Sequence, residues 1–109
     1  MAQPNDVVRG TLDLLILKAL SLEPMHGWAI AQRLEQLSKD SLRVGQGSLY
    51  PALQRLEEKG WVESAWRATA ENRRAKYYEL TTIGRSALRD EAAVWHRYVD
   101  MVDVILRAF

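Results

Sequence analysis

At Gly60 the hydrophobic period of the chain changes from helical to extended, and few folds accommodate that change where it falls. Upstream, in V-G-Q-G-S-L-Y-P-A-L-Q-R-L-E-E-K-G (44–60), Leu49, Ala52, Leu53 and Leu56 recur at helical spacing. Downstream, Val62, Ser64 and Trp66 alternate with Trp61, Glu63 and Ala65. Ala75–Leu80 is rich in strand-favouring tyrosine, and A-T-A-E-N-R-R separates the two runs. The pattern predicts a helix over about Ser48–Lys59, closed by Gly60, and then a β-hairpin with strands over about Trp61–Trp66 and Ala75–Leu80.

Two helices precede this pair. Thr11–Leu20 is apolar on nearly every side, so a helix there has to be covered by neighbours almost all round. Pro24 and Gly27 punctuate the chain, after which Trp28, Ile30, Ala31, Leu34 and Leu37 mark an amphipathic helix over about Gly27–Ser38, followed by a polar connection from Lys39 to Gly47. Beyond the hairpin, Thr81 or Thr82 caps a last helix that runs to about Leu106 or Phe109. Along it Leu88, Ala92, Trp95, Val99, Val102, Leu106 and Phe109 follow steps of four and three, and Val94, Tyr98, Met101 and Ile105 widen the stripe. Such a helix is about 40 Å long, more than a small domain covers by itself, so a second copy of the chain is its natural cover.

The 109 residues amount to one domain, and the absence of cysteine excludes disulfides, thiolate metal sites and cysteine nucleophiles. The apolar run Leu12–Leu22 is broken by Asp13 and Lys18 and falls short of the roughly 20 residues of a bilayer crossing. The start M-A-Q-P-N-D lacks the pattern of a secretory signal, so the chain is expected to begin here and to be cytoplasmic. Enzymatic chemistry is not expected. The two histidines, His26 and His96, fall far apart, and Asp100 and Asp103 read as solubilising charges; no catalytic residue, metal or cofactor is assigned. Net charge is only +1, but Arg67, Arg73, Arg74 and Lys76 stand against Glu71 alone between positions 67 and 76.

Three helices followed by a hairpin is the order of a winged helix, whose third helix enters the DNA major groove while the hairpin reaches the backbone. The fold expected is mainly α with a small β-hairpin: a winged helix-turn-helix over 1–80, with a C-terminal dimerisation helix over 81–109 packed on the same unit. With Leu49, Ala52, Leu53 and Leu56 inward, Tyr50, Pro51, Gln54, Arg55 and Glu58 point outward. Pro51 is tolerated if Ser48 lies near the cap. Gly45 and Gly47 let a phosphate approach the free amides of the helix start. Ser48 and Tyr50 add neutral donors, and Gln54 and Arg55 are placed for base edges or phosphates. Singly, these features also fit a plain loop-to-helix junction, a tyrosine roofing the core and solvated charges at a hairpin tip; it is their order that favours DNA. A winged helix used for protein–protein docking, without DNA affinity, is the competing reading.

The stretches G-T-L-D-L-L-I-L-K-A-L (10–20), H-G-W-A-I-A-Q-R-L (26–34), G-S-L-Y-P-A-L-Q-R-L-E-E-K-G-W-V (47–62) and R-A-K-Y-Y-E-L-T-T-I-G (74–84) resemble the PadR-like winged-helix transcriptional regulators. The resemblance implies a homodimeric repressor that leaves its DNA, a pseudo-palindromic operator, when a small effector binds. It implies that Ser48, Tyr50, Pro51 and Arg55 lie on the recognition helix, that Arg73, Arg74 and Lys76 lie on the wing, and that the last helix makes the dimer. Family wings often carry a glycine in the basic tip; here E-N-R-R-A-K leaves Asn72 to supply any left-handed residue. With a single helix after the wing, an effector has few places to bind. Trp95, beside Val99, Val102 and Leu106, either offers a flat face to a planar aromatic ligand or simply fills the dimer core.

Overall fold

A computed structural model of the chain describes residues 9–109. The N-terminal stretch read above for targeting signals lies largely outside that range. Helix α1 (Arg9–Leu20) is followed by a two-residue strand β1 (Met25–His26), α2 (Gly27–Leu37), α3 (Gln46–Glu58), the hairpin β2 (Val62–Ala68) and β3 (Arg74–Leu80), and α4 (Thr82–Leu106). The three strands form one antiparallel sheet in the order β1-β3-β2.

The core is built where the helical and extended periods meet. Ile16, Leu17 and Leu20 of α1, Ile30 of α2, Leu49, Leu53 and Leu56 of α3, and Val62 of β2 are fully buried, with Tyr78 and Leu80 of β3 closing the sheet side. As its all-round apolarity requires, α1 packs against α2, α3 and α4. His26 ends β1 and caps α2, its Nδ1 accepting the Ala29 amide at 3.2 Å. At the wing tip Asn72 is the left-handed residue, at φ 62°.

The sequence-based boundary of α3 needs correction. The helix begins at Gln46, with Gly45 as a cap that makes no side-chain hydrogen bond, so Ser48 lies within the first turn. Pro51 is therefore inside the helix. Its missing N–H leaves the Gly47 carbonyl without a helical donor, and because Gly47 is exposed and has no side chain, water reaches that carbonyl.

The root of α4 is held tightly. Thr81 caps the helix: its Oγ1 accepts the Gly84 amide at 3.0 Å and donates to the Gly60 carbonyl at 2.6 Å, while its amide donates to Trp61 at 3.0 Å. A Cβ at Gly84 would lie 1.9 Å from the Trp61 carbonyl oxygen, so only glycine allows this approach. Past Leu88 the helix leaves the body, and the molecule is accordingly long, 57 × 30 × 21 Å. No helix among the described residues is long and apolar enough to cross a membrane.

Candidate nucleic-acid interface

One side of α3 is fully buried through Leu49, Ala52, Leu53 and Leu56, and the opposite side is bare. Gln46, Gly47, Ser48, Pro51 and Gln54 are exposed there, with Glu58 at the far end. Apart from Glu58 this crest carries no charge, and it begins at the helix N-terminus, where the first amides lack intrahelical acceptors. A surface of this kind can enter a groove lined with hydrogen-bonding base edges without desolvating fixed charge.

The flanks of α3 differ from the sequence expectation. Arg55, grouped above with the outward face, is turned onto α1: its Nη2 donates to Asp13 Oδ1 at 2.8 Å and its Nε to Oδ2 at 3.4 Å. The reason is Asp13, a carboxylate only 8% exposed in an otherwise apolar helix, which requires a partner. A lone acid inside an apolar run is the signal that could have disclosed this pair. Tyr50 is 47% exposed but leans on the start of α2, where a Cβ at Gly27 would come within 2.8 Å of its hydroxyl.

Glu57 joins the other flank of α3 to the wing. Its Oε2 accepts the Ser64 hydroxyl at 2.6 Å, and its Oε1 lies 3.8 Å from Lys76 Nζ. Expected at the far end and away from the site, Glu57 instead sets the angle at which the hairpin stands beside α3. Burial, then Glu57 and Tyr50 nearby, raise the Tyr78 hydroxyl above its ordinary pKa of 10.0, so it is neutral at physiological pH. Of the wing cations, Arg73 and Arg74 are exposed, Lys76 is half-buried against Glu57, and the Arg74 guanidinium lies 5.5 Å from the Trp66 ring centroid.

Far from this surface, Trp95 is 39% exposed and lies 6.1 Å, centroid to centroid, from Tyr98. Val99 and Val102 are half-buried, and Leu106 is 73% exposed. Sequence reasoning therefore identified the crest of α3 and the wing tip, and missed Asp13, Glu57 and the extra helical turn that brings Gln46 into the exposed set.

Three helices, a wing and an elongated fourth helix define a winged-helix protein of the transcription-regulator class. The chain belongs to the PadR-like family of transcriptional regulators, whose family model matches residues 16–90. It is similar to a PadR family transcriptional regulator from Eggerthella lenta, 34% identical with a TM-score of 0.78 over 93% of this chain and 86% of that one. A transcriptional regulator from Clostridium thermocellum shares the fold at a TM-score of 0.84 and 24% identity, over 94% of this chain and 99% of that one. A transcriptional regulator of Mycobacterium tuberculosis is 35% identical over 83 residues, 76% of this chain and 74% of that protein.

Proposed function

We propose that the chain is a cytoplasmic, homodimeric DNA-binding repressor whose two α3 helices enter successive major grooves of a pseudo-palindromic operator. The observation that carries this reading is the bare, uncharged crest from Gln46 to Gln54 on a helix whose opposite face is completely buried. Ser48, Tyr50, Pro51 and Gln54 meet the groove, Arg55 holds the helix to α1, and Arg73, Arg74 and Lys76 meet phosphates. Residues 1–80 act as the DNA-binding unit and 81–109 as the dimer arm. A planar effector seated against Trp95 releases the DNA by shifting the two arms and hence the spacing of the readers.

Selection of random duplexes by the purified protein, followed by gel shift of the enriched sequence, tests the reading. Enriched inverted half-sites about one helical turn apart are expected. Replacing both Arg73 and Arg74 by alanine should lower the slope of log Kd against log salt by about two, one for each lost phosphate contact. No enrichment and no shift at low salt would leave a protein-docking winged helix as the better account.

A further inference from the structure

Strand register sorts the hairpin into two faces. Val62, Ser64 and Trp66 on β2 share a face with Leu80, Tyr78, Lys76 and Arg74 on β3, since Val62 pairs with Leu80, Ser64 with Tyr78 and Trp66 with Lys76. Along this face the environment changes stepwise. Val62, Tyr78 and Leu80 are core; Ser64 and Lys76 are tied to Glu57 of α3; Trp66, one step further out, has no helix beneath it and is 60% exposed. Its recorded partner is the Arg74 guanidinium, over the ring at 5.5 Å. An indole in that position adds almost nothing to the core and keeps a large apolar surface in water.

We infer that Trp66 is a non-ionic DNA contact, its ring laid against the deoxyribose wall of the strand that borders the groove occupied by α3. The inference rests on the DNA-binding reading above and adds to it a residue and a kind of contact. Two observations select duplex DNA as the occupant. The ring sits on the wing face that flanks α3, joined to that helix through Glu57, so a duplex on the α3 crest runs past it. It also stands among Arg67, Arg73, Arg74 and Lys76 with Glu71 as the local acid, a setting complementary to a polyanion. Sugars between the phosphates give an apolar surface that neither arginine nor lysine covers well. Arg74, stacked on the ring, is then delivered to the adjacent phosphate.

Affinity of the full-length protein for its selected duplex, read by fluorescence anisotropy over a series of salt concentrations, tests the idea. Trp66→Ala should raise Kd about tenfold with an unchanged salt slope, as expected for a truncated aromatic anchor that releases no counterion. Trp66→Phe should recover part of the loss, and Arg74→Ala should lower the slope. Because Trp66 is exposed, the thermal melts of both tryptophan variants should match the parent. A Trp66→Ala protein within twofold of the parent overturns the proposal. So does one that flattens the salt slope as Arg74→Ala does, since the ring would then merely seat the arginine. Failure of the unaltered protein to bind any duplex is a different result: it removes the DNA reading itself, and this contact with it.

Discussion

Helices α3 and α4 each leave one side uncovered, and the two bare sides are chemically opposite. On α3 the exposed residues are Gln46, Gly47, Ser48, Pro51 and Gln54, small or polar and uncharged. On α4 they are Val94, Trp95, Tyr98, Met101, Val104, Ile105 and Leu106, each at least 39% exposed. A polar crest costs little in water and can exchange its hydration for base edges when a groove arrives. A stripe of large apolar groups is unfavourable in water at about 25 cal/mol per Å² and is satisfied best by another apolar helix. The molecule thus separates two kinds of recognition: a self-complementary face kept far out on α4, and a wet face kept on the body. The tight root of α4 at Thr81 and Gly84 means that a movement of one face carries the other with it.

The largest effect is expected from making the two faces alike. Tyr98→Glu combined with Ile105→Glu places charge on the α4 stripe at positions 55% and 58% exposed in the single chain, so the fold of the body should survive. Sedimentation should show a monomer, and operator affinity should fall about a hundredfold or more, because the second half-site no longer benefits from effective concentration. A variant that remains a dimer would show that this stripe is not where two copies meet.

Next in size is the pair that fixes α3 to the body. Asp13→Asn leaves Arg55 without its carboxylate, and urea unfolding should report a loss of about 1–3 kcal/mol, kept modest because the Arg55 side chain is 28% exposed and partly screened. A double-mutant cycle with Arg55→Gln should recover most of that figure as coupling energy. The two outer residues of α3 can then be told apart. Arg55→Gln should weaken operator binding without altering which bases are selected, whereas Gln54→Ala should relax the preference at one position of each half-site. A changed base preference in the Arg55 variant would return that residue to the reading surface.

Why Arg55 deceived a sequence reading is instructive. Spacing along one helix correctly placed Leu49, Ala52, Leu53 and Leu56 inside, because burial repeats with the helical period and needs no knowledge of other elements. The direction of Arg55 depends on Asp13, 42 positions earlier, and no local period encodes a contact at that distance. Strand β1 escaped for a related reason: two residues have no alternation to detect, and Met25–His26 is extended only because β3 offers it an edge. The start of α3 was misjudged because proline was assumed to sit in a first turn. An exposed glycine four residues earlier relieved that constraint. The cap at Thr81 and the left-handed Asn72 were legible, since both follow from what a single side chain does to its own backbone.

The smallest predicted effect tests whether α2 sets the position of Tyr50 on the crest. At Gly27 an added Cβ would stand 2.8 Å from the Tyr50 hydroxyl and 3.0 Å from Cζ, a conflict with the tip of a movable side chain and not with backbone. Gly27→Ala should therefore be accommodated by rotation of the ring. Alanine is favoured over glycine in a helix by up to about 1 kcal/mol, which offsets the lost packing, so stability should change by less than about 1 kcal/mol. Operator affinity should nevertheless fall about three- to fivefold, less than 1.4 kcal/mol, because Tyr50 is displaced from the side of the helix that meets the groove. Parent-like affinity with parent-like stability would mean that Tyr50 finds its place on DNA without help from α2. The division between a rigid body and an adaptable crest would then fall within α3 itself.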